Sequence, residues 1–480
     1  MKKTIAKMTS HTKLSGGSHP PRARLDRIFH SLEGALGTGM VLSAKEVLET
    51  YAEDDSGFGA FQPDFVIRAR NTQDVSIILK EASREGVPVV PRGGGTGRVG
   101  GALAVYGGIV LSLEKMNRIT AIENENFLAR VEPGMILEKF HQSIEEAGLF
   151  YPPDPSSLDS CSVGGNVACN AGGPRALKYG VTSNYVLGAE FVLPDGTILK
   201  TGRSTVKGGA GYELHKLIVG SEGTLGVITG ITFKLVAKPS HIETALITFP
   251  TARAALQSSQ DIMKSGILPR SLEFMDALSL AAARTKVPRQ LPETAGGCLL
   301  VELDGSSADT LLEEMGRVAE ICDKHGSGEA LVAQDEAQRR DLWTVRREVA
   351  PALREMHPCR VSEDIVVPRA ALAGIVDELQ TTATKHGIKI AAFGHSGDGN
   401  IHVTVLYDEP TREAADAACT DTLRLAVKHG GTVAGEHGTG IQKVGALALE
   451  QSAELLEFQR GLKKYFDPAG IMNPGKVVAI

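Results

Sequence analysis

Two histidines and an acidic turn are the residues of this sequence best suited to chemistry. The stretch GHSGDGNIH places His395 and His402 seven positions apart, and a later turn, GEHGTG, adds Glu436 and His437. Two imidazoles with one carboxylate are a recurrent ligand set for a divalent cation with open positions: zinc, manganese or iron. An isolated histidine pair is more often structural or solvated, so the carboxylate of the second turn is what favours a cation site.

The segment that follows these histidines has the alternation typical of a β-strand. In GNIHVTVLY the apolar and polar side chains are predicted to face opposite sides, with Ile401, Val403 and Val405 on one and Asn400, His402 and Thr404 on the other. A histidine therefore lies on the polar face of a strand that leaves a glycine-rich turn.

A first glycine loop, PRGGGTGRVGG at residues 91–101, formally matches the G-x-G-x-x-G fingerprint of Rossmann domains, with Glu114 about 20 residues further on. That fingerprint requires a helix that starts inside the loop. The next residues break at a Gly-Gly pair and resume as a strand, which excludes the nicotinamide Rossmann interpretation. Consecutive glycine N–H groups can still bind a phosphate, with Arg92 or Arg98 to offset its charge.

Two further loops of the same kind follow. Residues 151–180 combine small residues, asparagines and paired glycines or prolines over a span too long for an ordinary connection, and residues 220–230 read GSEGTLGVITG. Three such segments in one domain predict a large ligand that is wrapped by backbone.

Strands and helices alternate around these loops. In TQDVSIILKEASREG the apolar residues recur at helical spacing, Thr72 is the predicted N-cap and Gly86 the predicted stop. Pro239 closes the last apolar run of this half, so a domain boundary is predicted near residue 240. Beyond it, long helices that end in glycine and lead into strand-like runs predict an α+β domain with helices on one face of an antiparallel sheet.

Composition narrows the class of protein. The 480 residues carry a net charge of −6 without a basic stripe, so a nucleic-acid partner is not expected. No run approaches the ~18 consecutive apolar residues of a spanning helix.

Six single cysteines without a C-x-x-C pair suit a reducing compartment such as the cytoplasm. The basic first 25 residues favour a terminal tail over a transit peptide; attachment to a membrane surface and a mitochondrial location stay open.

Taken together, the motifs resemble a known family. The first loop, the run PPDPSS…CSVGGNVACNAGG…YG and the segment GSEGTLGVIT resemble the flavin domain of the vanillyl-alcohol oxidase superfamily. FGHSGDGNIH, GEHGTG and DPAGIMNPGK resemble the substrate domain of one branch, the FAD-dependent D-2-hydroxyacid dehydrogenases. That branch includes D-lactate dehydrogenase, the flavoprotein subunit of glycolate oxidase and D-2-hydroxyglutarate dehydrogenase.

The resemblance implies an α+β fold in four parts. These are a tail and helical extension over residues 1–50, a two-subdomain FAD-binding domain over 51–240, a substrate and metal domain with helices on an antiparallel sheet over 241–450, and a C-terminal segment over 451–480 that returns to the FAD domain.

The implied cofactor is FAD, bound without a covalent link, because members with a covalent flavin typically present a histidine in the first loop and residues 91–101 contain none. The implied pyrophosphate contacts are Pro91, Gly93, Gly94, Gly95, Thr96, Gly97 and Gly100. The implied lining of the flavin and its chain is Pro153, Asp154, Cys161, Gly164, Gly165, Asn166, Asn170, Ala171, Gly172, Gly173 and Gly180. Val227 and Ile228 are implied on the adenine side and Asn473 in the closing lid.

For the ion, the resemblance implies His395, His402 and Glu436 as ligands, with zinc favoured, and leaves His437 free. A divalent ion chelated by the hydroxyl and carboxylate of a 2-hydroxy acid lowers the hydroxyl pKa by several units. His437, with a pKa expected near neutrality, is then the natural general base while hydride passes from Cα to flavin N5.

The family pattern also implies Arg346, three residues after the tryptophan, as a bidentate partner of the substrate carboxylate. The sequence departs from the hydroxyglutarate enzymes at Ala350, where they have threonine. Their following lysine has no match in register, and only Arg360 is nearby. D-lactate or another small D-2-hydroxy acid is therefore favoured, with D-2-hydroxyglutarate dehydrogenase and a glycolate oxidase subunit as alternatives.

Two other functions compete with this interpretation. A metal-dependent hydrolase would use the same cluster to activate water, but it leaves the three glycine loops unexplained. A non-catalytic flavin-binding subunit would be expected to have lost the cluster or His437. The electron acceptor, whether a quinone, a cytochrome or an electron-transfer flavoprotein, and a homodimeric state are left open.

Overall fold

The computed structural model describes Thr12 and residues 17–287, 291–357 and 359–478. Most of the predicted N-terminal tail, residues 1–11 and 13–16, lies outside the described residues. The first helix already begins at Arg22.

A small sheet opens the chain. Its strands are β1 (Val41–Leu42), β2 (Phe65–Arg68), β3 (Val89–Arg92) and β4 (Ile109–Ser112), in the order β1-β2-β4-β3. The last three are parallel and β1 is antiparallel. The helices of this part are α1 (Arg22–Leu36), α2 (Lys45–Thr50) and α3 (Thr72–Glu85).

Helix α3 shows why local signals locate an element well. Its buried residues recur at helical spacing, and it ends at Gly86 in the left-handed conformation, as predicted. The N-cap prediction was wrong by one position, because the side chain of Asn71 accepts the hydrogen bond from the Asp74 N–H at 3.0 Å. Thr72 is instead the first helical residue.

A second sheet is wholly antiparallel, in the order β5-β6-β10-β8-β9. Its strands are β5 (Ile119–Glu123), β6 (Leu128–Val131), β8 (Val186–Val192), β9 (Ile198–Gly202) and β10 (Val227–Lys234). A two-stranded sheet joins β7 (Leu149–Phe150) to β11 (Val236–Ala237). The helices are α4 (Leu137–Glu146), α5 (Val163–Cys169), α6 (Ala176–Tyr179) and α7 (His215–Ile218).

The second half contains a seven-stranded antiparallel sheet in the order β15-β12-β14-β13-β17-β18-β16. Its strands are β12 (His241–Phe249), β13 (Ser271–Asp276), β14 (Gly297–Gly305), β15 (Ala330–Val332), β16 (Arg360–Val366), β17 (Lys389–His395) and β18 (Asn400–Leu406). The helices are α8 (Ala252–Lys264), α9 (Ala277–Arg284), α10 (Ala308–Asp323), α11 (Glu336–Met356), α12 (Leu372–His386) and α13 (Arg412–Lys428), followed by α14 (Ala453–Phe466). The predicted boundary near residue 240 falls between β11 and β12.

This sheet is covered on both faces, which corrects the prediction that its helices lie on one. Helices α8, α10, α12 and α13 share one buried core with the sheet, whereas α9 and α11 pack with Met275 and Phe393 on the opposite face. Along their strands, Met275 and Phe393 alternate with residues whose side chains belong to the first core. A strand buried on both sides loses the simple alternation from which a one-sided cover was predicted.

The end of the chain returns to the first sheet. Met472 pairs with Val89 of β3, and Ile471 and Met472 are buried in the core of that sheet. Among the described residues, the helices lack either the length or the apolar character that crossing a bilayer requires.

Candidate active site

The three glycine-rich segments meet around one cleft. Of the residues implied to bind FAD, the cleft is lined by Pro91, Gly93, Gly94, Gly95, Thr96, Gly97, Cys161, Gly164, Gly165, Asn166, Ala171, Gly172, Val227 and Ile228. Glu436 and His437 also line the cleft, although they lie more than 200 positions later in the chain. The cleft therefore joins the glycine loops to the acidic turn.

The remaining implied cofactor residues are not among those that line the cleft. Asp154 pairs with Arg175 at 3.0 Å, and Asn473 donates to the backbone oxygens of Gly101 at 3.0 Å and Glu222 at 2.7 Å. This outer group is Gly100, Pro153, Asp154, Asn170, Gly173, Gly180 and Asn473.

Several lining residues were missed in the sequence. They include Ser162, Cys169, Ser221, Glu222 and Gly223. The last three belong to GSEGTLGVIT, which the motif had already identified as a cofactor segment, so the signal was present. What the sequence did not indicate is which residues of the segment turn inward.

The cleft is suited to a large, polar cofactor. Buried polar atoms without a protein partner line it at Arg92 Nη1, Asn166 Nδ2 and Ser221 Oγ. Leaving such groups unpaired is unfavourable, so a ligand with polar groups of its own satisfies them. The wall also needs glycine at Gly94, where a Cβ atom would lie 2.3 Å from the Ser160 carbonyl oxygen. These features fit FAD.

Beside the cleft, the hairpin of β17 and β18 brings the two histidines to one face. His395 pairs with Asn400 in the register, and His402 lies two residues further along the same strand face. Their Nε2 atoms lie 3.4 Å and 3.6 Å from Glu436 Oε1, and the three ligand atoms are within 4.8 Å of one another. This cluster of two imidazoles and one carboxylate, here called the ion cluster, fits a divalent cation.

A second set, Asp364 with His402 and His437, has similar spacing. Its carboxylate is already engaged. Asp364 Oδ2 accepts the backbone N–H groups of residues 435–437 at 2.8 to 3.0 Å, and Oδ1 accepts Asn400 Nδ2 at 2.6 Å. Although burial opposes it, interactions with His437, His402 and Lys443 keep the pKa of Asp364 well below its usual value. Asp364 therefore positions the acidic turn, and the ion cluster is the better cation site.

His437 lies between Asp364 and the cleft. Its Nδ1 is 3.7 Å from Asp364 Oδ2, and its ring stacks on His402 with centroids 5.2 Å apart. Burial lowers the pKa of His437 to about 4, against the attraction of the Asp364 charge, so the ring is a neutral one that can accept a proton. This value is below the near-neutral pKa expected from the sequence.

Arg346 is a half-buried residue of α11, and it shares its partner Glu273 with His395 of the ion cluster. Its Nε donates to Glu273 Oε2 at 2.8 Å, and its guanidinium lies 5.0 Å from the centre of the Phe393 ring. Only Nε is used in the contact with Glu273. Ala350 lies one turn further along and packs against the core of α9 and α11, and Arg360 begins β16 with a pKa lowered by burial.

Comparison with solved structures shows which fold the chain has. The chain superimposes on p-cresol methylhydroxylase with a TM-score of 0.79 at 17% identity, over 96% of this chain and 98% of that one. It matches alkyldihydroxyacetonephosphate synthase with a TM-score of 0.74 at 20% identity, over 98% and 88%. The protein shares the fold of these two enzymes, in the α+β two-domain arrangement that the motifs predicted.

Sequence comparison narrows the class to a family. Residues 63–202 match the FAD binding domain, and residues 238–477 match the C-terminal domain of the FAD linked oxidases. The glycolate oxidase subunit GlcD of Bacillus subtilis is 41% identical over 87% of this chain and 89% of its own length. The D-lactate dehydrogenase of Anaerostipes hadrus is 34% identical over 91% and 94%. The chain is an enzyme that belongs to the FAD-linked oxidases, in their D-2-hydroxyacid dehydrogenase branch.

Proposed function

We propose that the protein oxidises a D-2-hydroxy acid to the 2-oxo acid with FAD held non-covalently in the cleft. The observation that carries the proposal is that one cleft is lined both by the glycine loops and by Glu436 and His437. The substrate is D-lactate or another small D-2-hydroxy acid, with glycolate and D-2-hydroxyglutarate as the alternatives that relatives and motifs suggest.

The mechanism assigns separate tasks to the residues around the cleft. When bound, FAD supplies the acceptor for the hydride from the substrate Cα, and a divalent ion, by preference zinc, supplies Lewis-acid polarisation of the hydroxyl. His395, His402 and Glu436 would hold the ion. The glycine loops would exclude water and orient the cofactor by backbone N–H groups.

His437 takes the hydroxyl proton in this proposal. Asp364 lies nearest to Nδ1, so it favours the tautomer in which Nδ1 carries the hydrogen and Nε2 has the free lone pair. Nε2 also lies on the side of the ion cluster, 3.9 Å from Glu436 Oε1. A neutral imidazole next to a polarised hydroxyl meets the geometric requirement of a general base. Arg346, held by Glu273, would orient the substrate carboxylate.

The experiment that tests this function is anaerobic reduction of the purified protein. A yellow preparation should be bleached by D-lactate and left unchanged by L-lactate, with glycolate and D-2-hydroxyglutarate tested in parallel. A preparation that stays colourless after FAD is added would contradict the flavin proposal. A yellow one that none of these acids bleaches would contradict the substrate class.

Reoxidation of the flavin requires an acceptor. We infer a quinone, a cytochrome or an electron-transfer flavoprotein, and a mitochondrial relative in Arabidopsis thaliana, 34% identical, carries the name D-lactate dehydrogenase [cytochrome]. Stopped-flow reoxidation of the reduced protein by each acceptor would separate them. Size-exclusion chromatography would test the homodimer.

A further inference from the structure

Glu222 occupies an unusual position at the junction of the cleft and the acidic turn. It is buried, it lines the cleft, and its φ of +50° lies in the left-handed region that non-glycine residues seldom adopt. Its carboxylate accepts the backbone N–H groups of Thr439 at 2.7 Å and Gly440 at 2.9 Å. Burial raises the pKa of Glu222, although these two hydrogen bonds favour its charged form.

Two carboxylates thus hold opposite ends of one turn. Asp364, from the seven-stranded sheet, binds the N–H groups of residues 435–437, and Glu222, from the cofactor loops, binds those of Thr439 and Gly440. Gly438 lies between them with a φ of +84°, and a Cβ atom there would lie 2.7 Å from Glu222 Oε1. The residues held in this way include Glu436 of the ion cluster and His437.

Glu222 is itself anchored to the cofactor loops. Its backbone N–H donates to the Ala168 oxygen at 2.8 Å, and its carbonyl oxygen accepts Asn473 Nδ2 at 2.7 Å. Glu222 therefore links the cleft wall at this point to the acidic turn. The mechanism above gives Glu222 no contact with reacting atoms.

We propose that Glu222 is a positioning residue that couples the cofactor cleft to the ion cluster by holding the turn that carries Glu436 and His437. The role of His437 in this coupling rests on the proposed function. The effect on Glu436 does not, because ion binding can be measured without turnover.

The first test is a Co²⁺ titration of the FAD-loaded protein after chelation, followed by the visible bands of the bound ion. Glu222→Gln keeps the size of the side chain but has one acceptor oxygen for two N–H donors. We expect Glu222→Ala to weaken Co²⁺ binding about 10- to 100-fold, the range typical for residues that orient metal ligands, and Glu222→Gln to weaken it less, about 3- to 10-fold, because one acceptor oxygen remains. Glu190→Gln is the matched control, since Glu190 is a half-buried glutamate of the same domain that accepts hydrogen bonds from Thr72 and Thr229.

The second test locates the effect by amide hydrogen exchange. The segment 435–443 should exchange faster in Glu222→Gln than in the wild type, while β16, which carries Asp364, stays protected. In steady-state turnover, kcat should fall about 10-fold or more with KM within about 3-fold, because the base is displaced and the substrate contacts remain.

Each result decides the proposal. Wild-type Co²⁺ affinity together with unchanged exchange in Glu222→Gln would overturn it, and equal losses in Glu190→Gln would reduce it to general destabilisation. If no hydroxy acid reduces the wild-type flavin, the proposed function fails, whereas weakened Co²⁺ binding in Glu222→Gln would still support the coupling of the cleft to Glu436.

Discussion

Arg346 and His395 bind opposite oxygens of one carboxylate, that of Glu273. Arg346 Nε donates to Oε2 at 2.8 Å, and His395 Nδ1 lies 2.7 Å from Oε1. Although burial acts the other way, the charges of both partners lower the pKa of Glu273, and Glu273 and Glu436 raise the pKa of His395 well above its usual value. The residue implied to bind substrate and a residue of the ion cluster are therefore oriented by the same side chain.

Replacing this shared partner should affect the ion before the cofactor. Glu273→Gln removes the charge that orients both neighbours, so we expect ion affinity to fall about 10- to 100-fold while FAD is retained. Elemental analysis and flavin absorbance of the same sample measure the two effects. Glu243→Gln, on β12, is the control and should leave both unchanged. Loss of FAD with full ion content would contradict this role.

Removing the side chain proposed as the general base should slow flavin reduction and leave FAD and the ion bound. In His437→Asn we expect flavin reduction by the hydroxy acid to slow by about 100- to 10,000-fold, because general-base assistance is lost. Anaerobic stopped-flow measures the rate. His386→Asn is the control, since His386 pairs with Asp421 on α12 and α13. Reduction at the wild-type rate in His437→Asn would assign the base elsewhere.

Chelation should separate the ion from the flavin. Treatment with a strong chelator is expected to abolish turnover while the yellow colour persists, because the ion cluster lies beside the cleft and shares only Glu436 with its lining. Zn²⁺ or Mn²⁺ should restore activity better than Mg²⁺, which prefers oxygen ligands to imidazole. Full turnover with no detectable metal would remove the ion from the mechanism.

Two glycines of the first loop should respond differently to a methyl group. Gly94→Ala would place its Cβ 2.3 Å from the Ser160 carbonyl oxygen, so we expect the free energy of unfolding to fall by about 1–3 kcal/mol. At Gly97 a Cβ meets no protein atom within 4 Å, so Gly97→Ala should change stability by less than about 0.5 kcal/mol. Urea unfolding of the FAD-free protein measures both. Loss of FAD from Gly97→Ala alone would show that the cofactor passes over Gly97.

The buried Lys476 should make the free energy of unfolding depend on pH above neutrality. Burial lowers its pKa from 10.5 to about 7, although Asp54 and Glu222 act in the opposite direction. Between these values the unfolded chain binds more protons than the folded one, so this group makes the protein more stable as pH rises, by up to about 1.4 kcal/mol per pH unit. Comparing the wild type with Lys476→Met across the window should show this slope only in the wild type. The exposed control Lys464→Met should keep the wild-type slope.

Much of the site could be predicted because its signals are local. The glycine loops, the stop of α3 at Gly86 and the alternation of β18 each depend on a few neighbouring residues, and the structure has Ile401, Val403 and Val405 buried in one core. The family motifs added the order of these segments. One error was local in scale, the N-cap of α3, because Asn71 and Thr72 are both capping residues by type, with Asn the more favoured of the two. The other, the cover of the seven-stranded sheet on both faces, depended on tertiary packing.

The sequence by itself determined the class of protein, the cofactor segments and the candidates for the ion cluster. Only the tertiary structure decided which residues orient them: Glu222 reaches a backbone 217 positions away, and Glu273 reaches His395 across 122 positions. Neither glutamate lies in a periodic pattern that would distinguish it from a solvated residue. A buried carboxylate acquires its partners only when distant segments pack around it. Burying its charge without those partners would cost free energy, so the hydrogen bonds that it accepts stabilise the packed arrangement of the segments.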